Sequence, residues 1–269
     1  MKIIFLIFIS FSFSSKIISQ EKKKIDIKNA DFTYINKEKH PDYWRLIGNV
    51  NIFHNETNMF SDSAHYYSKV EKIIAFNNIK ITKGDSLNLL GDNLNYDGEN
   101  NLAVISKNVE LHSNNAKLTT NKLEYNLQDN IIEYRSRSKI ILDDQEIESN
   151  KGKYFLKKKS YQFIDSVILK TDTYTINTNN LVSNESDKSQ TLNGSSFILF
   201  DDKTVYCEKG YLLNNSAEFF KNTYIVSNDS SDKIHPYFLS QTLSAVYFPN
   251  QWNLKQKIRV PPHQSDINL

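Results

Sequence analysis

The sequence predicts an all-β protein built from repeated units of about 29 residues. Short runs alternate apolar and polar side chains, which places one set on each face of a strand. Tyr and Phe number 15 and 16, whereas Gly and Pro number only 7 and 5. This balance favours strands, and no helical heptad interrupts it. The hydrophobic fraction of 39% fits a folded chain with a core.

Residues 1–20 are predicted to be a signal peptide. A basic start at Lys2 precedes a short apolar run, 3–13, and a small-residue exit. That run is too short to span a bilayer, which needs about 20 apolar residues, and its arrangement is typical of secretion. Cleavage would remove Lys2 and Lys16 and bring the basic count level with the acidic count. Net charge therefore gives no indication of nucleic-acid binding.

Three further regions are predicted after the signal peptide. Residues 21–47 begin with charged side chains and form a leader with a partial first repeat. Residues 48–227 carry the full repeats. Residues 228–269 lose the repeat and contain Pro, so we expect an irregular C-terminal tail, with a capping element as the alternative.

Two positions recur along the repeats at nearly constant spacing, in steps of 28 to 30 residues. The middle series is Tyr66, Tyr96, Tyr125, Tyr154, Ser183 and Leu212. The closing series is Phe76, Ile105, Tyr134, Phe163, Leu192 and Phe220. Agreement between two series predicts six stacked units. Turn-forming residues within each unit predict about three short strands per unit.

A looser third series opens each unit with two apolar residues that flank one other residue. The pairs are Val50/Ile52, Ile79/Ile81, Val109/Leu111, Ile140/Leu142, Val167/Leu169 and Phe197/Leu199. Both members of a pair lie on the same face of a strand, so the series is a candidate apolar surface. A shift of one residue in register would turn every pair to the other face.

The sequence contains no pattern typical of an active site or a metal site. The six histidines show no H-x-H or H-E-x-x-H spacing, and the recurring aspartates lack calcium-loop spacing. No phosphate-binding loop or nucleophile elbow occurs. The only cysteine, Cys207, is predicted to be a packed thiol, and His65 a solvent-facing strand residue. We therefore predict a protein that is not an enzyme and needs no cofactor.

Two questions stay open at the level of residue patterns. The repeated Tyr and Phe could fill a core, or they could line a groove that holds an apolar ligand. A unit of 29 residues also fits one rung of a right-handed parallel β-helix. That fold would indicate a structural, surface or adhesion protein.

Six segments in the repeats carry a resemblance to a known family. They are Gly48-Asn49-Val50, Asp62-Ser63-Ala64-x-Tyr66, Lys83-Gly84-Asp85-Ser86-Leu87, Asn93-Leu94-x-Tyr96-Asp97, Leu118-Thr119-Thr120-x-x-Leu123-x-Tyr125 and Ser149-Asn150-x-Gly152-x-Tyr154. In order and spacing they resemble the OstA-like (organic solvent tolerance) family, in its Bacteroidetes-type form. The resemblance covers residues 25–227.

The resemblance implies an antiparallel β-jellyroll whose two facing sheets form a V-shaped open groove. It implies a periplasmic protein that carries the lipid A acyl chains of lipopolysaccharide in that groove and contributes to outer-membrane assembly. Other jellyroll proteins of a transport bridge, or copies of this chain, would join it by end-to-end strand addition. The candidate groove residues are Val50, Ile52, Ile79, Ile81, Val109, Leu111, Val167 and Leu169.

Overall fold

A computed structural model describes residues 24–84, 87–113, 116–213, 216–227, 243–248 and 251–256. The predicted signal peptide lies outside these residues. The regular elements in the described part are 20 β-strands. Every pairing between them is antiparallel, which confirms the predicted all-β antiparallel fold and excludes the parallel β-helix for this part of the chain.

Two short strands begin the sheet, and a meander of long strands follows. In chain order the first ten are β1 (Asp26–Asn29), β2 (Phe32–Tyr34), β3 (Trp44–His54), β4 (Thr57–Tyr67), β5 (Lys72–Lys83), β6 (Leu87–Asp97), β7 (Leu102–Ser113), β8 (Ala116–Asn126), β9 (Ile131–Tyr134) and β10 (Ser138–Leu142). The others are β11 (Gln145–Ser149), β12 (Lys151–Phe155), β13 (Ser160–Lys170), β14 (Thr175–Asn184), β15 (Ser189–Leu199), β16 (Lys203–Leu213), β17 (Ser216–Phe220), β18 (Tyr224–Ser227), β19 (Leu243–Phe248) and β20 (Gln251–Gln256).

Each long strand bends near its middle. In β5 the pairing register shifts between Phe76 and Ile79, and the two residues between them, Asn77 and Asn78, have φ of 61° and 49°. Asn tolerates this left-handed conformation better than most residues, and such bulges bend a strand. Equivalent left-handed residues are Gly48, Asn49, Lys107, Asn108, Asp165, Ser166, Gly194, Lys221 and Asn222. The bends therefore recur about once per 29 residues.

The bends divide the sheet into two leaves that share the long strands. Leaf A runs from β2 through halves of β3–β8 to β9 and β12, and then through β13–β17 to β19 and β20. Leaf B runs from β1 through the other halves of β3–β8 to β10 and β11, and then through β13–β16 to β18. The result is a jellyroll folded like a V, with the bends along its apex.

Each unit thus consists of two long, bent strands, and the prediction of three short strands was wrong. A unit contributes four half-strands, two to each leaf. The sequence pattern hides one of them, Thr57–Ser61, because it follows directly on the turn residues Asn55 and Glu56 and carries the polar Asn58. The 29-residue period itself is confirmed by the spacing of the bends.

Part of the predicted irregular tail, 228–269, is regular. Strands β19 and β20 form a hairpin, and β19 pairs with β17 from Ser216↔Val246 to Phe219↔Leu243. This hairpin extends leaf A at the C-terminal end of the stack. At the other end, β1 and β2 of the predicted leader pair with β3.

The core lies between the leaves along the whole length of the stack. Alternate residues of every half-strand point inward and are almost completely buried, and the largest are Tyr96, Tyr125, Phe163 and Phe219. Burial of each large apolar side chain contributes roughly 1.5–3 kcal/mol. A chain with a single, buried cysteine thus depends on this interior for stability.

Candidate functional site

All eight candidate groove residues lie on the inner face of leaf B. Val50, Ile52, Ile79, Ile81, Val109, Leu111, Val167 and Leu169 are each 0–2% exposed. The side chains of these residues therefore form the leaf B wall of the interior. That they contact a lipid stays a prediction.

Two other pairs of the opening series are out of register with these. Phe197 and Leu199 point outward and are 37% and 38% exposed, and the inward residues are their neighbours Ser196 and Ile198. The cause is the bulge at Gly194, where the pairing register shifts. A one-residue shift moves a side chain to the opposite face.

The fourth pair is displaced by two residues, which keeps it inward. Ile140 pairs with Leu118, the residue that also pairs with Leu111 on its other side. Ile140 is thus the equivalent of Leu111, and the buried Ser138 is the equivalent of Val109. The alternation in sequence could not reveal this, because a serine at an inward position interrupts the apolar pattern.

The middle series forms the leaf A wall of the interior, and all six members are buried. Four members of the closing series, Ile105, Tyr134, Phe163 and Leu192, are buried beside them. The two end members, Phe76 and Phe220, lie next to a bend and are only half-buried, and Ala75 and Phe219 take the inward positions. The aromatic ladder therefore faces the interior.

Burial keeps the interior tyrosines protonated. Desolvation raises the pKa of Tyr125 to about 12, and it raises the pKa of Tyr96 and Tyr134 further still. The Tyr134 hydroxyl bonds to the Ser149 hydroxyl at 2.5 Å. The interior is thus apolar with uncharged hydroxyl groups, a surface suited to an uncharged chain.

A column of small hydroxyl residues lines the apex, and sequence reasoning missed it. Ser61, Thr120, Ser149 and Thr178 each donate to the carbonyl two residues further on, at 3.2, 3.4, 3.0 and 3.4 Å. Each hydroxyl satisfies a carbonyl beside a bend, which would otherwise lose its ladder partner. The signal that could have found the column is the 29-residue spacing of Thr120, Ser149 and Thr178.

Cys207 continues the apex column, 29 residues after Thr178. It is buried, and burial raises the pKa of its thiol to about 12. A protonated, enclosed thiol is a poor nucleophile. The prediction of a packed thiol is confirmed.

His65 lies on the outer face of leaf A, where it is half-buried. Its ring stacks on Tyr43, with ring centroids 4.2 Å apart. Desolvation, followed by the charge of Arg45, lowers the pKa of His65. Its outward direction agrees with the prediction, although neighbouring rings cover part of it.

The mouth of the V is the side opposite the apex, where hairpin turns of the two leaves approach each other. Six polar contacts join leaf B to leaf A there. They are Ile25 N to Glu71 Oε2 (2.9 Å), His54 Nδ1 to Tyr96 Oη, Asn55 Nδ2 to Asn101 Oδ1, Lys83 Nζ to Asn130 Oδ1 (2.8 Å), Ser113 Oγ to Tyr161 Oη (2.9 Å) and Gln190 Nε2 to Gln145 Oε1 (2.6 Å). We call this set the mouth contacts.

The leaf A turns at the mouth are also joined to one another. The backbone N–H groups of Gly98, Leu127, Leu156 and Glu185 donate to the carbonyls of Glu71, Asn101, Asn130 and Lys159, at 2.8–3.1 Å. Each bond links one turn to the next along the stack. This rim of leaf A is therefore a continuous hydrogen-bonded row.

A cavity of about 180 Å³ lies at the mouth in the C-terminal half of the stack. Its walls include Gln145 and Gln190, and the inward-facing Leu142 and Leu212. Asp143, Asp144, Glu185 and Lys188 also line it. At this point the mouth leaves access to residues of the interior.

Two further searches concern only the described residues. Within them, no group of three His, Cys, Asp or Glu side chains is placed to hold a metal ion. No helix among them has the length and apolar character needed to cross a membrane.

Comparisons with known proteins give one structural likeness and one family. No curated protein matches the sequence significantly. A solved structure from Pseudomonas aeruginosa, LptH, described as the LptA-homologous periplasmic component of the lipopolysaccharide transport device, is similar with 14% identity and a TM-score of 0.38. The similarity covers 40% of this chain and 81% of LptH. The profile of the OstA-like protein family matches residues 22–179, more than half of the chain, and the chain therefore belongs to the OstA-like family.

Proposed function

We propose that this chain is a periplasmic lipopolysaccharide-binding protein of a transport bridge that contributes to outer-membrane assembly. It acts without catalysis, and its interior takes the lipid A acyl chains. The observation that carries the proposal is the continuous apolar interior between the two leaves, which extends from Val50 to Phe219. Membership of the OstA-like family supports it, because relatives in this family carry lipopolysaccharide.

The energetic need for such an interior is large. An acyl chain of about twelve methylene groups costs roughly 10 kcal/mol to expose to water, at about 0.8 kcal/mol per group. A lipid with several chains requires a continuous cover while it crosses an aqueous compartment. A stack of units provides an interior whose length is set by the number of units.

The leaves are packed against each other in this structure, so acyl chains would replace contacts between them. Side chains such as Ile81 and Tyr96, both 0% exposed, would exchange an apolar neighbour from the other leaf for a methylene chain. These side chains stay out of water in both states. The exchange therefore costs much less than exposing the same surface to solvent.

The ends of the stack are suited to strand addition. Within the described residues, β1 and β2 pair only with β3, so both leaves end in a strand with one free edge. At the other end, β18 pairs only with β16 and β20 only with β19. Free edges accept a further strand. We propose that other jellyroll proteins of the bridge, or further copies of this chain, bind at these edges.

Site-specific photo-crosslinking tests the lipid-binding role. A photoactivatable residue in place of Leu111, which faces the interior, should crosslink to lipopolysaccharide added to the purified protein. The matched control is the neighbour Glu110, which points outward and pairs with Lys117 at 3.1 Å. Equal labelling at both positions, or none at Leu111 in a folded protein, would overturn the proposal.

A further inference from the structure

The mouth contacts follow the repeat. Each joins a leaf B residue to a leaf A residue 42–48 positions later in the chain. The leaf B members Ile25, Asn55, Lys83, Ser113 and Gln145 are 28–32 residues apart, which is about one unit. The contacts thus form one row along the mouth, with at least one contact per unit.

The mouth differs from the apex in what holds it together. At the apex the backbone itself passes from one leaf to the other in strands such as β5 and β7. At the mouth, five of the six contacts run from side chain to side chain. Water can replace each partner of such a bond, so the mouth can open while the apex stays closed.

The residue types at the mouth are polar although the adjacent interior is apolar. Asn55 with Asn101, Lys83 with Asn130, and Gln145 with Gln190 all present groups that are solvated when separated. An apolar seam would expose hydrophobic surface each time it opened. A polar seam limits that exposure to the side chains behind it.

The cavity beside Gln145 and Gln190 marks where opening requires the least change. Leu142 and Leu212 line it and also belong to the buried interior. Separation of this single amide pair would join the cavity to the space between the leaves.

We infer that the mouth contacts form a lateral gate, through which a lipid passes its acyl chains into the interior from the side. The gate opens first at Gln145 and Gln190, and the other contacts separate in turn as the lipid moves along the stack. The saccharide part stays outside the mouth throughout. This inference rests on the proposed function, since it supplies the route to the lipid-binding interior.

A reversible cross-link across the mouth tests the gate. Gln145→Cys and Gln190→Cys are combined in a Cys207→Ser background and joined by a short, cleavable bis-thiol reagent. Uptake of fluorescent lipopolysaccharide by the full-length protein is then measured before cross-linking, after it, and after cleavage. We expect uptake to fall at least ten-fold on cross-linking and to recover on cleavage.

The matched control places the same reagent within leaf B. Ile141 and Glu146 are register partners in β10 and β11 and point outward. The Ile141→Cys/Glu146→Cys protein carries the same reagent near the same turn but leaves the mouth free, so its uptake should not change.

The outcomes separate the gate from the proposed function. Equal uptake by the protein cross-linked across the mouth and its uncross-linked form would overturn the gate and show that lipid enters at the ends of the stack. The proposed function would then stand. Absence of uptake in every form, including the uncross-linked and control proteins, would overturn the proposed function and the gate with it.

Discussion

The apex and the mouth of this jellyroll hold the same two leaves together by different means. At the apex, continuous strands bend at left-handed residues such as Asn77 and Asn78, and hydroxyls such as Thr178 satisfy the carbonyls beside the bends. At the mouth, paired side chains such as Lys83 and Asn130 meet across a gap in the chain. Only the mouth can separate without unfolding. The difference assigns the apex to stability and the mouth to access.

The largest expected effect is on stability at high pH. Burial raises the pKa of Tyr125 to about 12, and it also raises the pKa of Tyr96 and Tyr134. The unfolded chain loses these protons near pH 10, before the folded chain does, so stability is complete below pH 10 and falls as the pH rises towards 12. Denaturant unfolding at pH 8, 10 and 11 should show a steep loss.

A folded protein whose midpoint is unchanged at pH 11 would contradict burial of these tyrosines. Tyr125→Phe provides the control. It removes one titrating group without emptying the interior, so its stability should fall less steeply between pH 10 and pH 12.

A smaller effect is expected at the apex. Thr178 Oγ1 bonds to the Asn180 carbonyl at 3.4 Å and to Ser196 Oγ at 2.7 Å. Thr178→Val should lower the free energy of unfolding by about 1–3 kcal/mol, because it leaves buried polar groups without a partner. Lipid uptake relative to folded protein should not change. Urea unfolding checks the first result and the uptake assay the second.

Cys207→Ser is the matched control for the apex. It places a hydroxyl at a position of the column that other units already fill with Ser or Thr. We expect a change below about 1 kcal/mol. A larger loss than that of Thr178→Val would show that the column does not act as one structural feature.

The smallest effect on stability is expected at the mouth. Lys83 Nζ donates to Asn130 Oδ1 at 2.8 Å, and the lysine is only half-buried. Lys83→Met should cost about 0.5–1.5 kcal/mol in unfolding free energy. The same change should accelerate lipid uptake, because it removes one contact of the gate.

The surface lysine Lys117 is the control for that variant, since it pairs with Glu110 within leaf B. Lys117→Met should leave both stability and uptake rate nearly unchanged. If Lys83→Met slowed uptake, the mouth contacts would not restrain access.

The fold could be predicted from the sequence where one rule acted alone. Alternation placed Val50, Ile79 and Val109 correctly on the inner face, and the 29-residue period is the spacing of the bends. Prediction failed at bulges, because Gly194 shifts the pattern and turns Phe197 and Leu199 outward. A bulge inserts residues that strict alternation cannot anticipate.

The mouth contacts could not be predicted for a different reason. Their partners lie 42–48 residues apart and pair unlike residue types, such as Lys83 with Asn130 and Ser113 with Tyr161. No common motif marks these positions. They depend on how far the two leaves close, which is a property of the whole stack.

The recurrence of the bends sets a rule for how such a chain can change in length. Each bend at Asn77, Asn108 or Ser166 faces the next at a fixed offset of about one unit. A single inserted residue inside a strand would invert every side chain up to the next turn. A whole inserted hairpin would keep all bends aligned and lengthen the interior by one step. Relatives of different reach can therefore arise by gaining or losing complete hairpins, as rungs are added to a ladder.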